Sequence, residues 1–200
     1  MAKRVYLMAV DGFADWEPAH ALAELRRYGG YEVVTVGFTD APVMSMGGLR
    51  VLPSVRVTSV EPADVAVFIL PGGDRWQSGA VEPDLVALLH RLDDADVPLA
   101  AICAATVAVA RVGLIKGRRH TSNGLAYLQK YAAGYSESDS YVEAPAVRDR
   151  KLITASGLAA VEFARELFEE LEVLPAAARG QWAQMFRSGR VPAVIGTDPS

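Results

Sequence analysis

The sequence predicts an α/β protein in which a mostly parallel sheet carries helices on both faces. Short apolar strands alternate with amphipathic helices along the chain, and strands such as residues 65–70 (VAVFIL) are apolar without alternation. A strand of this kind is buried on both faces, which is typical of parallel sheets built from β-α-β units. With 200 residues, 51% of them hydrophobic, we expect one domain over residues 1–200, with about 191–200 as a flexible tail.

The first half of the chain predicts a β-α-β unit followed by an edge insertion. Strands are expected at residues 5–10 and 32–38, separated by a helix whose apolar face carries Ala19, Leu22, Ala23 and Leu25. Residues 42–60 alternate polar and apolar side chains around Gly47-Gly48, which predicts a hairpin. The strand at 65–70 ends at Pro71-Gly72-Gly73, and leucines at helical spacing predict a helix over 82–93.

The second half predicts a further strand and helix, then a strand pair and two helices. Residues 97–102 are expected to form a buried strand and 104–112 a short buried helix. Beyond them, the pattern predicts a strand over 118–123, a helical turn over 125–132, and paired strands over 141–148 and 151–155. Val161, Ala164, Phe168 and Leu171 mark a helix, and residues 176–188 predict one more.

Composition narrows the classes of function. The net charge is −4 with both signs interspersed, and the chain has no Walker-type glycine loop and no Cys/His spacing typical of zinc sites. We therefore expect no nucleic acid, no metal and no cofactor. The apolar runs are too short for a signal peptide or a bilayer span, and a single cysteine permits no internal disulfide. These features predict a cytoplasmic protein that does not bind membranes.

The single cysteine, Cys103, falls where a buried strand turns into a helix. Such a corner strains the backbone and needs small neighbours, which Ala101, Ala104 and Ala105 supply, as in a nucleophile elbow. The N–H groups at a helix start favour a thiolate, so we expect the thiol pKa to lie well below about 8.5. The alternative is an inert cysteine buried in the core.

Polar and glycine residues follow several strands at the edge of the sheet where Cys103 is expected. Ligands bind at this carboxyl edge in parallel sheets. The residues gathered there are Asp11, Gly12, Asp15, Glu17, Gly72, Gly73, Asp74 and Cys103. The N–H groups of Gly73 and Ala104 are placed to form an oxyanion hole, although Gly72-Gly73 is equally explained as a strand-ending turn. Glu17 either complements a helix dipole or, packed against a thiolate, holds a proton that it can donate.

These residues resemble the ThiJ/PfpI superfamily, the group of the parkinsonism-associated DJ proteins and of class I glutamine amidotransferase-like proteins. The resemblance rests on DWEPAHALAELRRYG, FILPGG, AAICAAT, GLIKGRRHTSN and ITASGLAAVEFARELFEEL, which together span nearly the whole chain. It implies a flavodoxin-like three-layer α/β/α sandwich and a homodimer. It also implies that Cys103 is the reactive cysteine, Glu17 its hydrogen-bonded carboxylic acid, and Gly73 and Ala104 the oxyanion donors.

The sequence departs from this family at its histidines. Ala104 stands where protease-related members have a histidine after the cysteine, and Asn123 stands at the histidine position of a G-x-x-x-[ST]-[ST]-H stretch. His120 lies three residues earlier, where strand alternation turns it to the other face. Besides these, Trp16, His20, Gly72 and Asp74 are candidate pocket residues.

Two classes of function remain open from the sequence. In the first, a Cys103/Glu17 dyad acts on a small-molecule substrate, such as a 2-oxoaldehyde or a compound with a reactive carbon–nitrogen bond, as in a hydrolase, amidase or glyoxalase. In the second, the protein is a non-catalytic stress sensor in which Cys103 is oxidised to sulfenic or sulfinic acid. The missing histidine favours the second class, and the strand-to-helix corner favours the first.

Overall fold

The computed structural model describes residues 3–191. Its strands are β1 (Arg4–Met8), β2 (Val33–Gly37), β3 (Val43–Met44), β4 (Arg50–Val51), β5 (Val55–Arg56), β6 (Val65–Leu70), β7 (Leu99–Ile102), β8 (Ala146–Asp149) and β9 (Leu152–Ala155). Its helices are α1 (Trp16–Arg27), α2 (Pro83–Asp94), α3 (Ala105–Arg111), α4 (Leu125–Tyr131), α5 (Ala160–Glu170) and α6 (Ala176–Ser188). The predicted tail falls largely on residues 192–200, outside the described residues.

A seven-stranded sheet with the order β5-β2-β1-β6-β7-β9-β8 forms the centre of the fold. Its neighbouring strands pair in parallel except β8 and β9, which are antiparallel. The chain runs from β1 outward to β2 and later crosses to β6 on the other side of β1, so the topological switch point lies between β1 and β6. The mostly parallel sheet is therefore confirmed.

Helices cover both faces of the sheet, which gives the expected three layers. Alternate residues of β1 show this: Tyr6 and Met8 pack in a core with the leucines of α2 and the alanines of α3. Val5 and Leu7 point the other way, into a core formed with α1, α5 and α6. Both cores exclude water, so each strand needs apolar side chains on its two faces, as its sequence has.

The buried face of α1 differs from the predicted one. Ala19 and Ala23 are exposed, whereas Glu17, Pro18, Ala21, Glu24 and Leu25 are buried. The apolar pattern predicted the wrong buried face, because two of the residues on the face that is buried are glutamates. The rotation matters for the site, since it turns the Glu17 side chain toward the sheet edge.

The predicted strand over 118–123 is wrong. His120 makes only an isolated bridge to Tyr141, and the neighbouring backbone N–H groups bond to side chains rather than to a strand. The Arg119 N–H donates to Asp149 at 2.8 Å and the Thr121 N–H to the Thr154 hydroxyl at 2.9 Å. The segment therefore lies beside the sheet, held by side-chain acceptors. Residues 141–145 were predicted to begin the next strand, but they lie before β8, which starts at Ala146.

The hairpin insertion is confirmed as the antiparallel pair β3 and β4, and the last predicted helix is confirmed as α6. The hairpin is tied to the loop before α1, because the Met46 N–H donates to the Phe13 carbonyl at 2.9 Å. Among the described residues, none of the helices has the length and apolar character needed to cross a bilayer.

Candidate active site

Cys103 occupies a strained corner between β7 and α3. Its φ is 59°, in the left-handed region that few residues other than glycine adopt. Three hydrogen bonds hold this geometry: the Cys103 N–H donates to the Ala155 carbonyl at 2.9 Å, and its own carbonyl accepts from the Thr106 N–H at 3.1 Å and the Thr106 hydroxyl at 2.6 Å. Strain that the surrounding structure fixes in this way is typical of functional sites.

Glu17 reaches the thiol from the start of α1. It is only 1% exposed, and its Oε2 accepts the Gly72 N–H at 2.6 Å. Its carboxyl group also lies beside the Cys103 thiol, since a Cβ at Gly157 would crowd both groups. A buried carboxyl group in contact with a thiol is one of the ways in which proteins assemble a proton-transfer pair.

Two glycines leave the space that this pair requires. A Cβ at Gly72 would lie 2.7 Å from Cys103 Cβ and 2.7 Å from Glu17 Oε2. A Cβ at Gly157 would lie 2.7 Å from Cys103 Sγ and 3.2 Å from Glu17 Oε1. Any larger residue at either position would displace the pair. Gly157 was not predicted as a site residue, although it follows β9 at the same carboxyl edge of the sheet.

Burial raises the pKa of both acidic groups. Burial raises the pKa of Glu17 from its ordinary 4.5 to about 7, against the opposing hydrogen bonds from Gly72 and Cys103. Burial also raises the pKa of the Cys103 thiol to about 11, and the negative charge of Glu17 adds to it. The expected low thiol pKa is therefore wrong in direction. The Asn123 and Ala104 hydrogen bonds do favour the thiolate, but desolvation outweighs them.

Asn123 stands directly beside the thiol. Its Nδ2 donates to Cys103 Sγ at 3.2 Å, and its Oδ1 accepts the Gly157 N–H at 2.8 Å. The second bond fixes which end of the amide faces the sulfur. The side chain at this position is therefore a hydrogen-bond donor to Cys103 and has no basic nitrogen.

The sequence matches a known family of proteins over most of its length. The sequence profile of the DJ-1/PfpI family matches residues 3–170. The chain belongs to the DJ-1/PfpI family.

Relatives of this family match over most of their length. The DJ-1 superfamily protein Atu0886 from Agrobacterium tumefaciens has a structure with a TM-score of 0.85 at 35% identity, covering 94% of this chain and 100% of that one. A thiJ/pfpI family protein from Bacillus anthracis has a TM-score of 0.86 at 30% identity, covering 95% and 92%. The "uncharacterized protease YoaZ" of Bacillus subtilis is 33% identical, over 92% of this chain and 90% of its own.

More distant relatives carry names of different activities. The deglycase TK1284 of Thermococcus kodakarensis is 26% identical, over 60% of this chain and 71% of its own. The glutathione-independent glyoxalase DJR-1.2 of Caenorhabditis elegans is 27% identical, over 72% of this chain and 75% of its own. Membership in the DJ-1/PfpI family therefore does not select one reaction.

Both histidines among the candidate pocket residues make other contacts in this DJ-1/PfpI fold. His120 is fully buried, with Nδ1 2.8 Å from the Arg118 carbonyl and Nε2 2.8 Å from the Tyr135 hydroxyl. His20 packs edge-on against Phe186, with ring centroids 4.7 Å apart. Both rings therefore have partners of their own, and neither is hydrogen-bonded to Cys103 among the described residues, so their place in a pocket stays a prediction.

The remaining candidates lie at the rim of the site. Trp16, the first residue of α1, is 52% exposed, and Asp74 is an exposed residue that begins a short 3-10 turn after Gly73. The Gly73 N–H has no hydrogen-bond acceptor among the described residues. Its role as an oxyanion donor, with Ala104, stays a prediction.

A cleft of about 430 Å³ opens beside Asn123. Its walls include Ser122, Pro145, Ser156, Leu158 and Glu143. The cleft is large enough for a small molecule, and it is bordered by Asn123, whose amide contacts the thiol. Within residues 3–191, no group of three or more His, Cys, Asp or Glu side chains is placed to hold a metal ion.

Proposed function

We propose that this protein is a thiol-dependent enzyme that acts on a small electrophilic carbonyl compound or carbon–nitrogen bond. The contact between the Cys103 thiol and the buried Glu17 carboxyl, whose pKa is raised to about 7, carries this proposal. A base whose pKa matches the working pH is best placed to take a proton and give it back. Cys103 is the nucleophile and Glu17 moves its proton.

The raised thiol pKa defines how the pair works. Near pH 7 the Cys103 thiol is neutral and Glu17 is about half ionised, so the thiol proton passes to Glu17 as Sγ adds to the electrophilic carbon. The carbonyl π pair moves onto oxygen, where the N–H groups of Gly73 and Ala104 stabilise the charge. Protonated Glu17 then returns the proton to the leaving nitrogen or oxygen.

The names of the relatives support this class of reaction. Protease, deglycase and glyoxalase are different activities, so together they support carbonyl chemistry rather than one substrate. The cleft beside Asn123 fits a small molecule better than an extended polypeptide, since its volume is about 430 Å³.

One observation favours the alternative function, a sensor in which Cys103 is oxidised. Asn123 leaves the thiol without a basic partner other than Glu17. The raised thiol pKa argues against it, because peroxide reacts with thiolates and a neutral thiol resists oxidation. Intact-mass spectra after mild peroxide treatment distinguish the two, since a sensor adds oxygen to Cys103 before the methionines are oxidised.

The rate at which iodoacetamide alkylates Cys103 tests the dyad. If Glu17 is the base, the wild-type rate rises with pH through about 7, and Glu17→Gln removes this rise. If the wild-type rate instead rises only with a midpoint near pH 11, and Glu17→Gln has the same pH profile, the dyad is contradicted. A panel of 2-oxoaldehydes, amides and esters, assayed with wild type and Cys103→Ser, then identifies the substrate class.

We also propose that the protein forms a homodimer through the hairpin and the start of α1. Large apolar side chains are exposed there: Trp16 (52%), Met44 (49%), Met46 (45%), Leu49 (59%) and Leu52 (64%). Exposed apolar groups of this size on a small domain are typical of interaction surfaces. The same face begins next to Glu17, so a second copy would border the site.

A further inference from the structure

Thr106 is a buried polar residue in an otherwise apolar stretch of helix. It lies in the first turn of α3, is 1% exposed, and is followed by Val107, Ala108 and Val109, which are all buried. Valine has nearly the same shape as threonine and no polar group to satisfy. The reason for a hydroxyl group at this position therefore lies in the hydrogen bonds that it makes.

Two hydroxyl groups form a directed chain that ends on the Cys103 carbonyl. Thr106 Oγ1 lies 2.6 Å from this carbonyl oxygen and 2.6 Å from Ser122 Oγ. A carbonyl oxygen only accepts, and a threonine hydroxyl has a single proton, so Thr106 donates to Cys103 and Ser122 donates to Thr106. Ser122 is 3% exposed and directly precedes Asn123, which donates to the sulfur. The same segment therefore holds both the side chain and the backbone of Cys103.

The segment that carries Ser122 is itself fixed beside the sheet. The Thr121 N–H donates to Thr154 Oγ1 at 2.9 Å, and Thr121 Oγ1 donates to the Ala144 carbonyl at 2.8 Å. Thr154 belongs to β9, so these bonds do not depend on α3. The Thr106 hydroxyl group therefore receives its hydrogen bond from a donor whose position is set elsewhere in the fold.

The peptide group between Cys103 and Ala104 connects this chain to the oxyanion chemistry. The peptide bond is trans, so its carbonyl and its N–H point in opposite directions within one plane. The Ala104 N–H has no acceptor among the backbone carbonyls of residues 3–191. Hydrogen bonds that fix the Cys103 carbonyl toward Thr106 therefore also fix the direction of this N–H. They polarise the peptide group as well, which makes the N–H a stronger donor.

We propose that Ser122 and Thr106 are positioning residues that aim the Ala104 N–H at the substrate oxygen. This oxygen becomes negative when Cys103 adds to a carbonyl group, so the inference rests on the proposed function. In the step, the Sγ–C bond forms, the carbonyl π pair moves onto oxygen, and the thiol proton goes to Glu17. Neither hydroxyl group contacts the substrate, since Ser122 acts through Thr106 and Thr106 acts through the peptide group.

Two probes of Cys103 test the proposal, because one forms an oxyanion and the other does not. p-Nitrophenyl acetate acylates a thiol through a tetrahedral oxyanion and releases nitrophenolate, whereas iodoacetamide alkylates it by direct displacement. In Thr106→Val we expect the acylation rate to fall about tenfold, less than for the loss of a whole oxyanion donor, and the alkylation rate to stay unchanged. Thr106→Ser keeps the hydroxyl group and should acylate like the wild type. Cys103→Ser gives the background.

The order of the chain gives a second test. Ser122→Ala removes the outer hydrogen bond and should lower the acylation rate by a smaller factor than Thr106→Val. In the Thr106→Val background it should have no further effect, because the hydroxyl group through which Ser122 acts is gone. Val109→Ala removes buried apolar atoms from α3 and leaves the chain intact, so it is the matched control for lost stability. It should unfold at a lower urea concentration and keep the wild-type ratio of acylation to alkylation rates.

Each other outcome overturns the proposal. If both rates fall by the same factor in Thr106→Val, the chain acts on the thiol itself, and if acylation is unchanged, the two hydroxyl groups only satisfy each other. If Val109→Ala also lowers the ratio, the effect comes from lost stability. If the effects of Ser122→Ala and Thr106→Val multiply, Ser122 acts without Thr106. The proposed function stands in all these cases, whereas a wild-type Cys103 that is alkylated but not acylated overturns both.

Discussion

Asn123 donates to the Cys103 sulfur at 3.2 Å while its own Oδ1 accepts the Gly157 N–H at 2.8 Å. The residue after β9 thus orients the side chain that faces the thiol. Because an amide cannot accept a proton at neutral pH, this arrangement gives Cys103 a hydrogen-bond donor, and Glu17 is the group that we propose as the base.

Replacing Asn123 with histidine should add the missing base. We expect weak or absent methylglyoxal turnover in the wild type and an increase of about a hundredfold in Asn123→His, the usual contribution of general base catalysis. His120→Ala should change turnover per folded molecule little, because the His120 ring bonds Arg118 and Tyr135 rather than the thiol. Strong wild-type turnover that His120→Ala abolishes would contradict this placement.

Gly157→Ala should disable the thiol without unfolding the protein. The new Cβ would lie 2.7 Å from Cys103 Sγ, closer than any stable contact, and the sulfur would have to rotate away from Glu17. We expect iodoacetamide to alkylate Cys103 at least tenfold more slowly, since general base catalysis by Glu17 is lost. Gly180→Ala in α6 is the control, because nothing lies within 4 Å of its Cβ. Equal alkylation rates in the two variants would show that the site tolerates a methyl group.

The apolar hairpin surface should control the oligomeric state. Leu49 is 59% exposed in the single chain, and Leu49→Glu would place a charge in the proposed dimer interface. We expect the molar mass measured by light scattering to be that of two chains in the wild type and one chain in Leu49→Glu. Tyr28→Glu is the control, since Tyr28 is 49% exposed and lies at the end of α1 opposite Trp16. A monomeric wild type would refute the interface.

The sequence was sufficient to predict the sheet and the edge at which the site forms. Apolar runs without alternation indicate strands that are buried on both faces, and side chains that follow parallel strands meet at one edge. Glu17, Gly72 and Cys103 come together for this reason. Helix α6 was also predictable, because Trp182 and its neighbours have helical spacing.

Two features depend on tertiary contacts that no local pattern encodes. The face of α1 was misjudged because its buried side includes glutamates, which apolar periodicity counts as exposed. The direction of the thiol pKa was misjudged because the sequence reveals a helix start but not the desolvation that outweighs it.

Glu17 should make the stability of the protein depend on pH. Its pKa is about 7 in the folded chain and 4.5 ordinarily, so between these values the folded state keeps a proton that the unfolded chain has lost. The folded state binds more protons in this window, and the free energy of unfolding therefore falls as pH rises through it. The full loss is at most about 3 kcal/mol, reached above pH 7.

Glu17→Gln should remove this dependence, because glutamine keeps a hydrogen-bonding group beside Gly72 and never ionises. Urea unfolding at a series of pH values from 4.5 to 8 measures it: the wild type should lose stability across the window, and Glu17→Gln should exceed the wild type above pH 7. Glu143→Gln, which neutralises an exposed carboxylate, serves as the control and should follow the wild-type profile. If wild type and Glu17→Gln instead lose stability in parallel, Glu17 is already ionised at low pH. The thiol would then have a permanently charged base beside it, and the alkylation rate of Cys103 would show no step near pH 7.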